Sequence, residues 1–135
     1  MAACYHDTIV FQDPAFGILK GNQATSMWKM LTSNKEVIER IEVRDIQIDG
    51  NEGSAHWTAV YFFGPKKRKV INEIDASFTF IDGKIATHTD QFSVWRWSRQ
   101  ALGPVGLFLG WTSFLRKKIQ SASLAKLNAY MAKTS

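Results

Sequence analysis

The sequence predicts a single α+β domain over residues 1–135, built on a curved antiparallel β-sheet, and three observations support this prediction. Four stretches typical of β-strands, separated by short turns, follow one another between residues 36 and 97. Runs with helical spacing flank them on both sides. The chain has 135 residues, of which 45% are hydrophobic and 21% charged, so it can hold one core and a small pocket but not two domains.

The N-terminal segment is predicted to form a strand and a short helix. Residues 8–12 alternate as in a strand and end at Asp13-Pro14, a dipeptide that favours a turn. A loop is expected over residues 15–21. The helix predicted over residues 22–31 has apolar side chains at helical spacing, namely Ala24, Met27, Trp28 and Leu31.

The four central strands are predicted over residues 37–48, 54–63, 70–80 and 85–97. In the third strand the even positions form an almost wholly apolar face and the odd positions a polar one. The second strand alternates small residues with large aromatics, which suits a curved sheet: Ala55, Trp57, Ala59, Tyr61 and Phe63. We therefore expect one face of the sheet to pack inward and the other to meet water or a partner.

Residues 98–135 are expected to form a C-terminal helical extension. An apolar loop leads into a helix predicted from residue 112 to residue 131. The helix carries two apolar stripes suited to packing on two sides, one of Leu115, Ile119, Ala122 and Ala129 and one of Leu124, Leu127 and Met131.

The composition limits the cofactors and partners that we expect. Cys4 is the only cysteine, which excludes an internal disulfide and a thiolate metal cluster and favours a reducing, cytoplasmic location. We predict no metal and no cofactor. No helix-turn-helix, zinc finger or RNA-binding motif is present in the sequence, so no nucleic-acid partner is predicted.

Two basic clusters have alternative interpretations. Residues 65–70, Pro-Lys-Lys-Arg-Lys-Val, spell a nuclear localisation signal, but solvated lysines are ordinary at the hairpin tip predicted there. Residues 91–135 contain seven basic and no acidic side chains, and Arg116-Lys117-Lys118 follow an apolar, aromatic run as in an interfacial membrane helix. We expect instead a helix packed on the domain with its cations in water, and no membrane-surface partner.

The predicted last strand carries the most informative polar residues. His88, Asp90 and Phe92 are spaced by two, so they should project from one face. A carboxylate buried on that face costs several kcal/mol unless it has a partner, so Asp90 needs a donor such as His88 or a polar cavity. A purely structural His88–Asp90 hydrogen bond and a functional site both satisfy this requirement.

A family resemblance covers residues 1 to 97. It is carried by residues 5–14, then Gly17, Gly21 and Trp28, and further along by residues 78–85 and His88-Thr89-Asp90. These segments resemble the ketosteroid isomerase and SnoaL-like polyketide cyclase branch of the nuclear transport factor 2-like superfamily. The tail from residue 92 to residue 118 is similar to an uncharacterised bacterial subgroup of that superfamily. The resemblance implies a sheet wrapped by helices into a cone, with a ligand cavity at the wide end.

The resemblance also implies roles for individual residues. Asp13 matches the isomerase's general base, the carboxylate that moves a proton between carbons alpha and gamma to a carbonyl. His88, Asp90 and Phe92 match positions that line the cavity. Two departures from the family argue against steroid isomerisation by the same groups. Ala76 occupies, or lies beside, the position of the isomerase's oxyanion aspartate, and the N-terminal helix that carries the oxyanion tyrosine is missing. We expect the long C-terminal helix to occupy the vacant place; the alternative is an upstream start of the chain.

We therefore expect a cofactor-independent enzyme that uses general acid/base catalysis, with Asp13, His88 and Asp90 as catalytic residues. Isomerase, cyclase, dehydratase and epoxide hydrolase activities all remain open. The substrate is expected to be a small, mostly apolar, oxygen-bearing molecule that contacts Trp28, Trp57, Tyr61, Asn72, Phe78, Phe80 and Phe92. The alternative is a non-catalytic module that binds a ligand or dimerises. Either protein is expected to form a homodimer through the outer face of the sheet.

Overall fold

The computed structural model describes residues 4–32, 38–64, 66–109 and 112–134. Within these ranges the chain forms one six-stranded sheet and four helices. The strands are β1 (Tyr5–Asp13), β2 (Gly17–Lys20), β3 (Ile38–Asp49), β4 (Glu52–Phe63), β5 (Arg68–Ile81) and β6 (Lys84–Gln91). The helices are α1 (Asn22–Thr32), α2 (Val94–Leu102), α3 (Pro104–Leu109) and α4 (Ser113–Thr134).

The α+β fold class is confirmed, with a refinement of the sheet. The strand order is β2-β1-β6-β5-β4-β3, and every neighbouring pair is antiparallel except β1 and β6, which are parallel. The sheet is therefore mixed rather than wholly antiparallel. The prediction of a loop over residues 15–21 was wrong in part, because Gly17–Lys20 form β2 and pair with β1 across a tight turn.

The predicted alternation of β5 is confirmed. Its even positions Asn72, Ile74 and Ala76 are buried, whereas Glu73 and Asp75 are exposed. Along the inward face, the register then sets the neighbours of the site residues across the sheet: Trp57 opposite Ile74, Ala76 opposite Asp90, and Phe78 opposite His88. The first of the four predicted central strands, over residues 37–48, begins at a position that lies outside the described residues.

The strand predicted over residues 85–97 was too long. It ends at Gln91, and helix α2 begins at Val94 because the Ser93 hydroxyl caps it, accepting a hydrogen bond of 3.2 Å from the Arg96 backbone N–H. Phe92 therefore lies outside the strand, not on the face of β6 that carries His88 and Asp90.

The apolar loop predicted after residue 98 is largely helical. Gly103, with a φ of 68°, ends α2 in a conformation that glycine adopts without steric cost, and its backbone N–H bonds the Arg99 carbonyl. Pro104 then opens α3, where its missing N–H costs nothing.

The long C-terminal helix is confirmed, and it packs on two regions of the domain. Leu127 is fully buried in a core cluster with Ala24 and Met27 of α1, and Leu124 and Met131 pack against the same cluster. Nearer the start of α4, Ile119 packs on a second cluster built around Val70 and Trp97. Of the two predicted stripes, the second is covered, whereas Ala122 and Ala129 of the first are exposed.

Candidate active site

Asp13 closes the β1–β2 turn and is held there by two backbone amides. Its Oδ1 accepts hydrogen bonds from the N–H groups of Ala15, at 3.0 Å, and Phe16, at 2.6 Å. This Asp-Pro turn needs a residue with positive φ at its end, and Gly17, with a φ of 74°, supplies it. Within the described part of the chain, Oδ2 of Asp13 accepts no hydrogen bond, so this oxygen remains available.

The environment of Asp13 suits a general base. Burial raises the pKa of the Asp13 carboxyl to about 6, against the lowering effect of the Phe16 amide, and the negative charge of Asp90 adds to the increase. The Ala15 amide and His88 lower the pKa by less. At neutral pH the group is mostly ionised and holds a removed proton far more firmly than an ordinary aspartate does.

Three hydrogen bonds join Trp28, Tyr5, His88 and Asp90 into a chain. The Trp28 indole N–H donates to the Tyr5 hydroxyl oxygen at 2.7 Å, and the Tyr5 hydroxyl lies 2.7 Å from Nδ1 of His88. Nε2 of His88 lies 2.7 Å from Oδ1 of Asp90. With neutral His88 protonated on Nε2, every donor in this chain points toward Asp90, which is the acceptor at its end.

Aromatic rings enclose His88, which is only 1% exposed. Trp28 stacks on its imidazole with an interplanar angle of 14°, while Phe11 and Phe78 approach it at centroid distances of 5.0 and 4.6 Å. Because both ring nitrogens are occupied and the ring is covered, His88 has no free atom to offer a substrate. The arrangement suits a residue that fixes the orientation of Asp90.

Tyr61 supplies a hydroxyl donor. Its oxygen accepts a hydrogen bond of 2.6 Å from the indole N–H of Trp97. Burial raises the pKa of Tyr61 to about 12, and the charge of Asp13 contributes to the same increase. The hydroxyl therefore keeps its proton at neutral pH, and it donates to no acceptor among the residues that the structure describes.

Asn72 lies on the inward face of β5, opposite Ala59 of β4, and is buried, yet its amide makes no hydrogen bond to any described residue. In the described ranges, Ser98 Oγ is the only fully buried side-chain polar atom without a partner. The second carboxylate oxygens of Asp13 and Asp90 and the Asn72 amide have no hydrogen-bond partner among the described residues, and none of these atoms is completely buried.

The predicted substrate-binding residues fall into two groups. The first group surrounds His88, which Trp28 and Phe78 contact. In this group the ring centroids of Trp28 and Trp57 lie 6.0 Å apart, and those of Phe78 and Phe80 lie 6.4 Å apart. Tyr61 and Phe92 belong to the cluster around Val70 and Trp97. Neither Trp97, which holds the Tyr61 hydroxyl, nor Tyr5, which holds His88, was among the predicted site residues.

A polar cluster lies on the opposite face of the sheet, and the cleft beside it also reaches Asn72 and Phe92. His56 is held between two carboxylates, with Nε2 at 2.6 Å from Glu73 and Nδ1 at 2.8 Å from Asp75, and these bonds raise its pKa. The hydrogen bond from His56 in turn lowers the pKa of Glu73, which also receives Arg44 at 3.1 Å. The cluster borders an open cleft of about 380 Å³ that reaches Arg96.

The described residues offer neither a metal-binding cluster nor a membrane-spanning helix. No group of three or more His, Cys, Asp or Glu side chains is placed to hold a metal ion in the described ranges. None of the helices in those ranges is long and apolar enough to cross a lipid bilayer.

Comparisons with known proteins point to one family. The model of the SnoaL-like domain family matches residues 1–88. Among curated protein sequences, none matches the chain significantly.

Solved structures show the same fold. A protein with a ketosteroid isomerase-like fold from Catenulispora acidiphila, solved with trimethylamine, superposes with a TM-score of 0.62 at 16% identity, over 76% of this chain and 80% of that one. An LEH-like epoxide hydrolase of M. tuberculosis gives a TM-score of 0.58 at 23% identity, over 80% of each chain. An NTF2-like protein of unknown function from Cytophaga hutchinsonii gives 0.55 at 18% identity, over 67% of this chain and 80% of that one. At these identities the similarity establishes the fold alone.

Proposed function

Because the chain belongs to the SnoaL-like domain family, whose fold relates it to isomerases, cyclases and epoxide hydrolases, we propose that it is a cofactor-independent enzyme of general acid/base type. The observation that carries the proposal is Asp13. Its partly buried carboxylate has a pKa raised to about 6 by desolvation, and one of its oxygens has no hydrogen-bond partner among the described residues. Its negative charge also contributes to the raised pKa of Tyr61.

A base and a neutral hydroxyl donor favour proton transfer on a carbonyl compound. Asp13 removes a proton from a carbon next to the carbonyl, and the electron pair of the broken C–H bond moves through the new C=C bond onto the oxygen. The Tyr61 hydroxyl donates a hydrogen bond to that oxygen as its negative charge develops. To complete an isomerisation, Asp13 returns the proton to a different carbon conjugated with the enolate, and the C=O bond re-forms. In a cyclase, the enolate carbon instead attacks a second carbonyl of the same molecule before any reprotonation, and Asp13 gives its proton to the alkoxide that forms.

The raised pKa of Tyr61 favours this chemistry over the opening of an epoxide. With a pKa of about 12, Tyr61 is a good hydrogen-bond donor to an enolate but a reluctant acid. An epoxide needs a full proton on its leaving oxygen, so we place carbonyl substrates first. The apolar rings of Trp28, Trp57 and Phe78 favour a small, mostly apolar molecule that carries one such oxygen.

In this proposal Asp90 is the second carboxylate and His88 is a positioning residue. Both nitrogens of His88 are hydrogen-bonded, so its role differs from the direct substrate contact expected from sequence. Asp90 keeps one oxygen for a substrate hydroxyl or a bound water, while the chain from Trp28 through Tyr5 fixes the other side of the imidazole.

The test of this function is Tyr61→Phe, assayed with a panel of small cyclic enones and β-diketones. Loss of the donor should lower kcat on the order of 10²–10³-fold with little change in KM, because the hydrogen bond strengthens only as charge develops. A thermal melt of the same variant separates this effect from instability, since Trp97 loses its acceptor. An unchanged kcat on a substrate that the wild type converts would exclude Tyr61 as the donor.

The second candidate is a non-catalytic module that binds a ligand of the same kind or dimerises through the outer face of the sheet. The observation that favours it is the closed hydrogen-bonding of His88, which fits a structural role as well as a positioning one. A ligand that binds equally well to the wild type and to Asp13→Asn, with no turnover by either, would support this candidate.

A further inference from the structure

Helices α3 and α4 follow one another in the chain, and their facing ends in sequence expose large apolar side chains. We call these residues the α3–α4 patch; their exposed fractions are 70% for Phe114, 70% for Phe108, 52% for Val105, 44% for Leu109 and 42% for Leu107. Single exposed apolar residues are ordinary, but five within ten residues of sequence are a concentration that points to an interaction site.

Cations adjoin the patch. Lys117 and Lys118 follow Phe114 by three and four residues, so all three lie on one face of α4, and all three are exposed. On α2, the guanidinium of Arg99 lies 4.7 Å over the ring of Trp95, whose indole N–H bonds the carbonyl of Leu107. The sequence contains no acidic residue after Asp90, so no carboxylate of this region offsets these charges.

The sequence pattern alone favoured solvated cations and no membrane-surface partner, but the exposed apolar side chains beside these cations change that expectation. We propose that the α3–α4 patch docks on the surface of an anionic lipid bilayer. The apolar side chains would enter the boundary between headgroups and acyl chains, and Lys117 and Lys118 would lie at the level of the anionic headgroups. Exposed apolar groups beside unopposed cations are the pattern that such a surface complements.

Charge argues against a second copy of the chain as the occupant. A two-fold contact through the patch would place Arg116, Lys117 and Lys118 of both copies at one interface, where helices α2, α3 and α4 supply no acidic side chain to oppose them, and like charges gathered there repel. The proposal is independent of catalysis, since no residue of the Asp13 site takes part in it.

The test is sedimentation of the full chain with vesicles of phosphatidylcholine, with and without phosphatidylglycerol. We expect binding to the anionic vesicles alone, weakened by added salt. Phe114→Ser should weaken binding at least about tenfold, the effect of withdrawing one large apolar side chain from the bilayer. Lys117→Gln combined with Lys118→Gln should weaken it about fivefold for each charge removed.

Two matched controls change the same residue types elsewhere. Ile48→Ser removes another side chain that is 69% exposed, and Lys66→Gln with Lys67→Gln removes two exposed lysines at the β4–β5 turn. Both should bind vesicles like the wild type. The proposal is overturned if the chain ignores anionic vesicles, if controls and patch variants lose binding equally, or if Phe114→Ser instead abolishes a dimer seen by ultracentrifugation without lipid.

Discussion

Asp13→Asn is expected to lower kcat on the order of 10²–10⁴-fold while leaving the fold unchanged. Asparagine keeps the side-chain oxygen that accepts the N–H groups of Ala15 and Phe16, so the β1–β2 turn should survive. What disappears is the basic oxygen, since an amide does not take up a proton at neutral pH. The measurement is the steady-state rate on a carbonyl substrate identified with the wild type, alongside the circular dichroism of both proteins.

The control for this variant is Asp7→Asn. Asp7 is an exposed aspartate on the same strand, and its removal changes the net charge by the same amount. It should retain wild-type activity. If Asp13→Asn also retained it, the carboxylate would have no part in the chemistry and the base would have to be sought elsewhere.

Leu127→Ala is expected to lower the free energy of unfolding by about 2–5 kcal/mol. Leu127 has no exposed surface, and its neighbours Ala24 and Met27 on α1 belong to the same core cluster. Truncation would leave a cavity between α4 and the rest of the domain. Urea denaturation of the variant and the wild type gives the difference directly, from the midpoints and a shared slope.

Leu31→Ala provides the matched control, because Leu31 lies on α1 but is 43% exposed. The Leu31→Ala variant should lose well under half as much free energy of unfolding as the Leu127→Ala variant. Equal costs for the two variants would mean that α4 does not complete the core, and the helix would then be an appendage rather than part of the domain.

The sequence predicted those parts of the fold in which local pattern and tertiary packing agree. One face of the sheet is covered and the other is exposed, so the alternation along β5 matches its surroundings: Asn72, Ile74 and Ala76 are buried, and Glu73 and Asp75 are exposed. Helix α4 was predicted for a similar reason, since Leu124, Leu127 and Met131 recur at helical spacing and pack on the same cluster.

The segment around α2 shows where local pattern misleads. Val94, Trp95 and Trp97 are of the β-branched and aromatic types that favour a strand, but the Ser93 hydroxyl caps a helix that begins at Val94. The helical conformation is also stabilised by the hydrogen bond that it lets the Trp97 indole N–H donate to the Tyr61 hydroxyl. That contact joins residues 36 positions apart, and no periodicity reports it.

The same distinction applies to the candidate site. Spacing by two placed His88 and Asp90 on one face, and the structure joins them by a hydrogen bond. The partner on the other side of the imidazole, Tyr5, is 83 residues away, and it comes near because β1 pairs in parallel with β6. A parallel pairing of the first and last strands leaves no local mark in the sequence, so the completed hydrogen-bond chain was beyond prediction.

The most direct test of the proposed function needs no substrate. An NMR titration of the Asp13 side-chain carboxyl, assigned by comparison with Asp13→Asn, reports the pKa on which the role of general base depends. We expect a midpoint of about 6, because burial and the charge of Asp90 oppose ionisation. A midpoint near the ordinary aspartate value of about 3.9 would show a solvated turn carboxylate and would contradict the account.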